Sequence, residues 1–134
     1  KWNLFMNEQT KKDYIKYRLD KSFESLNDAK LLAQNKRWNA CINRLYYSSF
    51  YAVIALLLAD NYDGQTHDGA RTQFNLKYVK DGKIDKELWK LYTKLFDWRQ
   101  KGDYGDLFDF TKEQVSPLLE PTEKLLLTIK NIIG

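Results

Sequence analysis

Residues 50–59 constrain this chain more than any other stretch. They read Phe-Tyr-Ala-Val-Ile-Ala-Leu-Leu-Leu-Ala, apolar on almost every face of a helix. A helix that is apolar all round has to be enclosed by other elements. The stretch belongs to a longer helical segment, residues 38–61, which follows the polar turn Asn35-Lys36-Arg37. Its most apolar core, residues 52–59, is too short for a membrane span, which needs roughly 20 apolar residues. Extending it upstream brings in Asn43, Arg44, Ser48 and Ser49. A buried central helix is therefore expected, and no membrane association.

Four further segments have helical periodicity. Residues 13–34 carry Phe23, Leu26, Ala29 and Ala33 on one stripe. Residues 66–80 start at Thr66 as N-cap and set Ala70, Phe74 and Tyr78 in an i, i+4 row. Asp85 caps a fourth helix with Leu88, Leu91, Tyr92, Leu95, Phe96 and Arg99 on or near one face. Asp103 and Tyr104 are read as part of a polar loop over residues 102–106. A fifth helix, residues 111–133, opens with the capping-box spacing of Thr111 and Gln114. Pro117 is expected to kink or break it between Ser116 and Glu120.

Short connections favour antiparallel neighbours. The expected fold is all-α, an up-and-down bundle of five helices with helix two central. Residues 1–12 are read as a peripheral segment, although Trp2, Leu4 and Phe5 offer docking groups, and residues 13–134 as the bundle. Only 2 prolines and 6 glycines argue against an all-β domain, which needs many turn residues. A chain of 134 residues can bury a core without staples.

Cys41 is the only cysteine, so no internal disulfide forms and a reducing, cytoplasmic setting fits. Residues 1–12 contain no continuous apolar run of the kind a secretory signal needs. The net charge of +4 is too small to diagnose nucleic-acid binding. No Gly-rich phosphate loop, nucleophile elbow or HExxH motif occurs. With one histidine and one cysteine, neither a metal site nor a cofactor is expected.

Four polar places invite chemistry, each with a structural alternative. Arg44, beside Asn43, lies just before the buried half of helix two. A cation there either pairs with a carboxylate of another helix or faces an anion, backed by tyrosines such as Tyr47. His67 follows the Thr66 cap, where a helix N-terminus lowers an imidazole pKa and offers N–H groups to anions, or it simply packs. Arg99 and Asp103 form either a clamp or an anion site, with Tyr104 following. Lys36-Arg37-Trp38 either contacts phosphates with a stacking ring or packs on the bundle.

Together these stretches resemble a known family. Residues 35–52, with Asn43-Arg44-Leu45-Tyr46-Tyr47-Ser48-Ser49-Phe50 at their centre, are similar to the second helix of HEPN-domain proteins. The Thr66-His67 start of helix three looks similar too. Arg99-Gln100-Lys101-Gly102-Asp103-Tyr104 matches an R-Q-x-x-D-Y-like signature. The resemblance covers about residues 14–133 and is nearest to the small stand-alone members. It implies a five-helix bundle, often homodimeric, paired in prokaryotes with a minimal nucleotidyltransferase in toxin–antitoxin modules. The toxin of such a pair is typically a metal-independent ribonuclease, with Arg and His separated by four to six residues at a cleft shared by two copies.

Arg99 matches the arginine of that motif, whereas Tyr104, Gly105 and Asp106 stand where its histidine would be. The candidate catalytic residues are therefore Arg99, Asp103, Tyr104 and His67, with Arg44 and Tyr47 as ligand-binding residues around RNA or a nucleotide. Two other readings remain: a non-catalytic helical dimerisation or interaction module, and a small-molecule bundle with a pocket near Tyr46 and Tyr47.

Overall fold

A computed structural model describes residues 7–62 and 66–134. Among these residues there are only helices and turns, and the all-α expectation holds. The elements are α1 (Glu8–Gln34), α2 (Trp38–Ala59), α3 (His67–Phe74), α4 (Lys86–Tyr104), α5 (Lys112–Val115) and α6 (Leu119–Ile133). A π-helical stretch, Asn75–Val79, extends α3, and the 3₁₀ turn Ser116–Leu118 joins α5 to α6. Counted as rods, these make the five expected helices, the last one broken where Pro117 removes a backbone donor.

The central position of α2 follows from its sequence. Ile42, Leu45, Tyr46, Val53, Leu56, Leu57 and Leu58 are all sealed from solvent, and the helix packs against α1, α3, α4, α5 and α6. By length and hydropathy Trp38–Ala59 reaches the threshold for a membrane span, but 67% of its apolar window is buried by the rest of the bundle. Its serines are satisfied internally. Ser48 and Ser49 both donate to the Leu45 carbonyl, at 2.7 and 3.0 Å. Ser22 of α1 donates to the Ser48 carbonyl at 2.6 Å, so small side chains let α1 and α2 approach closely. Cys41 is buried, its sulfur 3.3 Å from the Ala29 carbonyl, and burial pushes its thiol pKa up to about 11. A neutral packing thiol results.

Both ends of α2 are shaped by tight turns. Lys36 and Asn61 adopt left-handed backbone (φ 58° and 64°). In each turn the following amide bonds five residues back, Arg37 to Leu32 and Tyr62 to Leu57, both at 2.9 Å. This closes α1 and α2 in Schellman fashion.

Two boundaries differ from the sequence reading. The first helix begins at Glu8 rather than residue 13, because Asn7 caps it by accepting from the Thr10 amide at 2.7 Å. Residues 8–12 thus belong to α1, while Trp2, Leu4 and Phe5 lie outside the described residues. The fourth helix continues through Gly102 to Tyr104, so Asp103 and Tyr104 are helical and not in a loop. Gly102 has a packing role there: a Cβ would come within 3.2 Å of the Phe110 ring. Phe110 stacks on Trp98 and is held by Asn39, whose Oδ1 accepts from the Phe110 amide at 2.8 Å. This clasp fixes the end of α4 against α2.

Candidate functional site

The first half of α2 presents Asn43, Tyr46, Tyr47 and Phe50 toward α3 and α4. These positions follow the i, i+3, i+4, i+7 spacing that puts residues on one helical face. Tyr46 is the hub, with no solvent exposure. Its ring is stacked with Phe50 and Tyr92 and lies edge-on to Tyr47 and Phe96. His67, at the first position of α3, lies flat on Phe50 with ring centroids 4.1 Å apart. Its Nδ1 is 2.5 Å from the Tyr46 hydroxyl. Thr66 places the imidazole there by capping α3, accepting from the Gly69 amide at 2.8 Å.

From α4, Arg99 reaches over the same rings. Its guanidinium carbon is 4.9 Å from the Tyr46 centroid and 5.7 Å from that of Tyr47. Only 9% of the residue is exposed. Asp103, one turn further along α4, has Oδ2 at 3.9 Å from Arg99 Nη1, beyond hydrogen-bond range. The same oxygen accepts from Asn43 Nδ2 at 3.0 Å. Asn43 Oδ1 in turn accepts from Arg44 Nε and Nη2, at 3.1 and 2.9 Å. Arg44 completes the ring by lying over Tyr47 at 5.2 Å. The expected ion pair between Arg44 and another helix is absent among the described residues. An asparagine and a tyrosine on its own helix hold it instead.

The charge balance of this seam is uneven. Arg44 and Arg99 share one carboxylate, Asp103, and Arg99 Nε is buried with no hydrogen-bond partner. At about 4 Å and an effective dielectric near 20, the Arg99–Asp103 attraction is about 4 kcal/mol. Burying each ion costs several kcal/mol. The pair is thus near break-even for stability, although the two tyrosine rings add cation–π attraction. A cation held in place by aromatic faces, with no hydrogen bond to its neighbouring carboxylate, is suited to receive an oxyanion.

The same environment sets the ionisation of its neighbours. Burial, and next the Arg99 charge, lower the His67 pKa below the usual 6.5, so the ring is neutral at pH 7. Burial raises the phenols of Tyr46 and Tyr92 far above their ordinary value, so both remain protonated.

The structure therefore gathers Arg99, Asp103, His67, Arg44 and Tyr47. It leaves Tyr104 apart, 77% exposed on the outer face of α4, where it lines a shallow depression with Asp97, Gln100 and Lys101. Lys36 and Arg37 are exposed and Trp38 packs partly on the core, beside a different depression shared with Asn39 and Phe110. The expected concave cleft at Arg99 is not among the surface depressions described for this chain. The described surface depressions, of 340 to 630 Å³, are lined by other residues.

Tyr46, which the sequence offers only as lining a small-molecule pocket, is the hub of the site, and Arg71 joins it without having been a candidate. Arg71 lies one turn after His67, bonded to Asp68 at 2.9 Å and stacked 4.2 Å from the Phe96 ring. Its i, i+4 spacing from the only histidine was the available signal. Among the described residues, no cluster of His, Cys, Asp and Glu has the makings of a metal site.

An all-α bundle of five rods is the fold that the HEPN resemblance leads one to expect. A profile of the HEPN domain matches residues 15–132, and the chain belongs to this family. A UPF0332 protein of Thermotoga maritima is 42% identical, over 96% of each chain. A Methanocaldococcus jannaschii protein whose name reads "putative toxin" is 30% identical, over 86% of this chain and 82% of its own. A second protein of that organism, bearing the same description, is 36% identical over 60% of each chain.

Proposed function

We propose that this chain is the HEPN component of a toxin–antitoxin-like module, that it binds an RNA or nucleotide phosphate at the Arg99 seam, and that it works with a minimal nucleotidyltransferase in the cytoplasm. The observation that carries this reading is the state of Arg99: nine-tenths buried, its sealed Nε unpartnered, and no hydrogen bond to Asp103, the one carboxylate beside it among the described residues. The names of the M. jannaschii relatives support the toxin-like assignment. A second copy of the chain, as the family resemblance implies, supplies the opposite wall of the cleft.

The motif positions that carry histidine in ribonucleases of this type are Tyr104, Gly105 and Asp106 here, and Tyr104 is exposed, apart from the seam. Binding is accordingly the core of the proposal, and cleavage is the outcome to be measured beside it. The test is fluorescence anisotropy with labelled single-stranded RNA, with turnover followed in parallel, for wild type and Arg99→Ala. We expect wild type to bind and Arg99→Ala to bind at least about tenfold more weakly, the cost of losing a charge-assisted contact.

One observation favours the alternative of a non-catalytic interaction module. The chain Arg44–Asn43–Asp103 already ties α2 to α4 without a ligand. Equal RNA affinities for wild type and Arg99→Ala, with a stable dimer from both, would establish that reading instead.

A further inference from the structure

His67 and Tyr46 share a short hydrogen bond, and the placement of its proton decides what His67 offers to a ligand. Tyr46 is wholly buried, packed against Tyr92, which is sealed too, and against the half-buried rings of Tyr47, Phe50 and Phe96. Among the described residues His67 Nδ1 is the one group with which it makes a hydrogen bond of good geometry. The Tyr92 hydroxyl is sealed beside it, electrostatically coupled to Tyr46 but itself without a well-formed hydrogen bond. If Nδ1 carried the proton, the Tyr46 proton would have to go to Tyr92, whose own proton would then have no acceptor. If Tyr46 donates to Nδ1, its own proton has an acceptor, and the Tyr46 oxygen stays open to the Tyr92 hydroxyl beside it. A neutral imidazole with Nδ1 as acceptor carries its proton on Nε2. That Nε2 has no hydrogen-bond partner among the described residues and is not sealed from solvent.

We propose that Tyr46 is a positioning residue that locks His67 as a neutral Nε2–H donor, so that His67 and Arg99, both packed on the Tyr46 ring, present two donors to one phosphate group. This deepens the phosphate-binding reading and rests on it. His67 then acts by donating a hydrogen bond, and a base that removes a proton through Nε2 is excluded while Tyr46 holds Nδ1. The groups facing the imidazole agree with a neutral ring. They are Tyr46, Tyr47 and Phe50 from α2 and the Arg99 cation from α4, while Asp68, the nearest carboxylate in the chain, is bonded to Arg71.

The chain has one histidine, so ring-nitrogen NMR of the uniformly labelled full chain reads His67 without assignment. At pH 7 we expect the proton on Nε2, with Nδ1 shifted as an acceptor. Inorganic phosphate and a short single-stranded RNA are added separately. Movement of the Nε2–H resonance by RNA alone identifies a phosphodiester as the ligand, and movement by both identifies any phosphate. Tyr46→Phe should let the second tautomer appear and weaken binding about fivefold. His67→Gln keeps a donor and should bind within about threefold of wild type, whereas His67→Ala should lose about tenfold. If Tyr46→Phe fails to fold, the wild-type tautomer and its response to the two probes still decide the matter. A proton on Nδ1, or RNA binding that leaves Nε2–H unmoved, overturns this inference and leaves the RNA reading standing. Failure of both probes to bind overturns both.

Discussion

The two halves of α2 are built on opposite principles. From Ala52 onward the helix is held mainly by shape and hydrophobicity, with Val53, Leu56, Leu57 and Leu58 sealed on different sides and Arg18 and Tyr78 bonding to its carbonyls at Ile54 and Leu56. From Asn43 to Phe50 it supports two arginines, a shared carboxylate, a histidine and two buried phenols. The second half explains why the chain folds. The first half holds ions where they contribute little net stability, which is the sign of a site kept for something other than folding. Mutations should separate the two.

The largest effect is expected in the apolar half. Leu57→Ala removes a fully buried side chain and should cost about 2–5 kcal/mol in denaturant unfolding. The surviving folded fraction should bind RNA as wild type does. A cost below about 1 kcal/mol would mean that this end is less tightly packed than described.

Arg99→Met is the contrasting test in the polar half. Replacing a buried ion with an apolar side chain of similar length is often neutral or stabilising. Its unfolding free energy should stay within about 1 kcal/mol of wild type or exceed it. A loss above about 3 kcal/mol would show Arg99 to be a structural clamp.

A smaller effect concerns pH. The folded His67 has a pKa below the unfolded 6.5, so between those two values the unfolded chain binds more protons. Stability contributed by neutral His67 is therefore complete above 6.5 and is lost as pH falls through the folded pKa. Thermal unfolding of wild type should decline over that window more steeply than that of His67→Gln. Identical slopes would contradict the buried, Arg99-flanked placement.

The smallest change belongs to Tyr104→Phe. At an exposed site off the seam it should shift stability by no more than about 0.5 kcal/mol and leave RNA affinity unchanged. A large loss of affinity would bring the outer face of α4 into the site.

Much of the apolar half was legible before the structure was known. The all-round hydrophobicity of residues 50–59, the caps at Thr66, Asp85 and Thr111, and the break at Pro117 all follow local rules that the fold obeys. The errors arose where a local signal competed with a distant contact. Gly102 read as a breaker, yet it continues α4 because Phe110 needs its missing side chain. Asn7 went unread as a cap because the polar turn after it lacks an apolar stripe. Of the two readings open for Arg44, a carboxylate of another helix or an anion backed by tyrosines, the carboxylate is not found among the described residues, and the neighbouring Asn43 and Tyr47 hold it. The polar half was visible as a set of residues, and Arg99, Asp103, His67, Arg44 and Tyr47 do converge. Their connections, through Tyr46 above all, are tertiary and leave no periodic trace.

The central claim is that the seam around Arg99 receives a phosphate. Its most direct test is the affinity of wild type and Arg99→Met for the same single-stranded RNA, measured by anisotropy at fixed salt with both proteins shown to be folded. We expect measurable binding by wild type and a loss of at least about tenfold in Arg99→Met at unchanged stability. Equal affinity in the two proteins would contradict it.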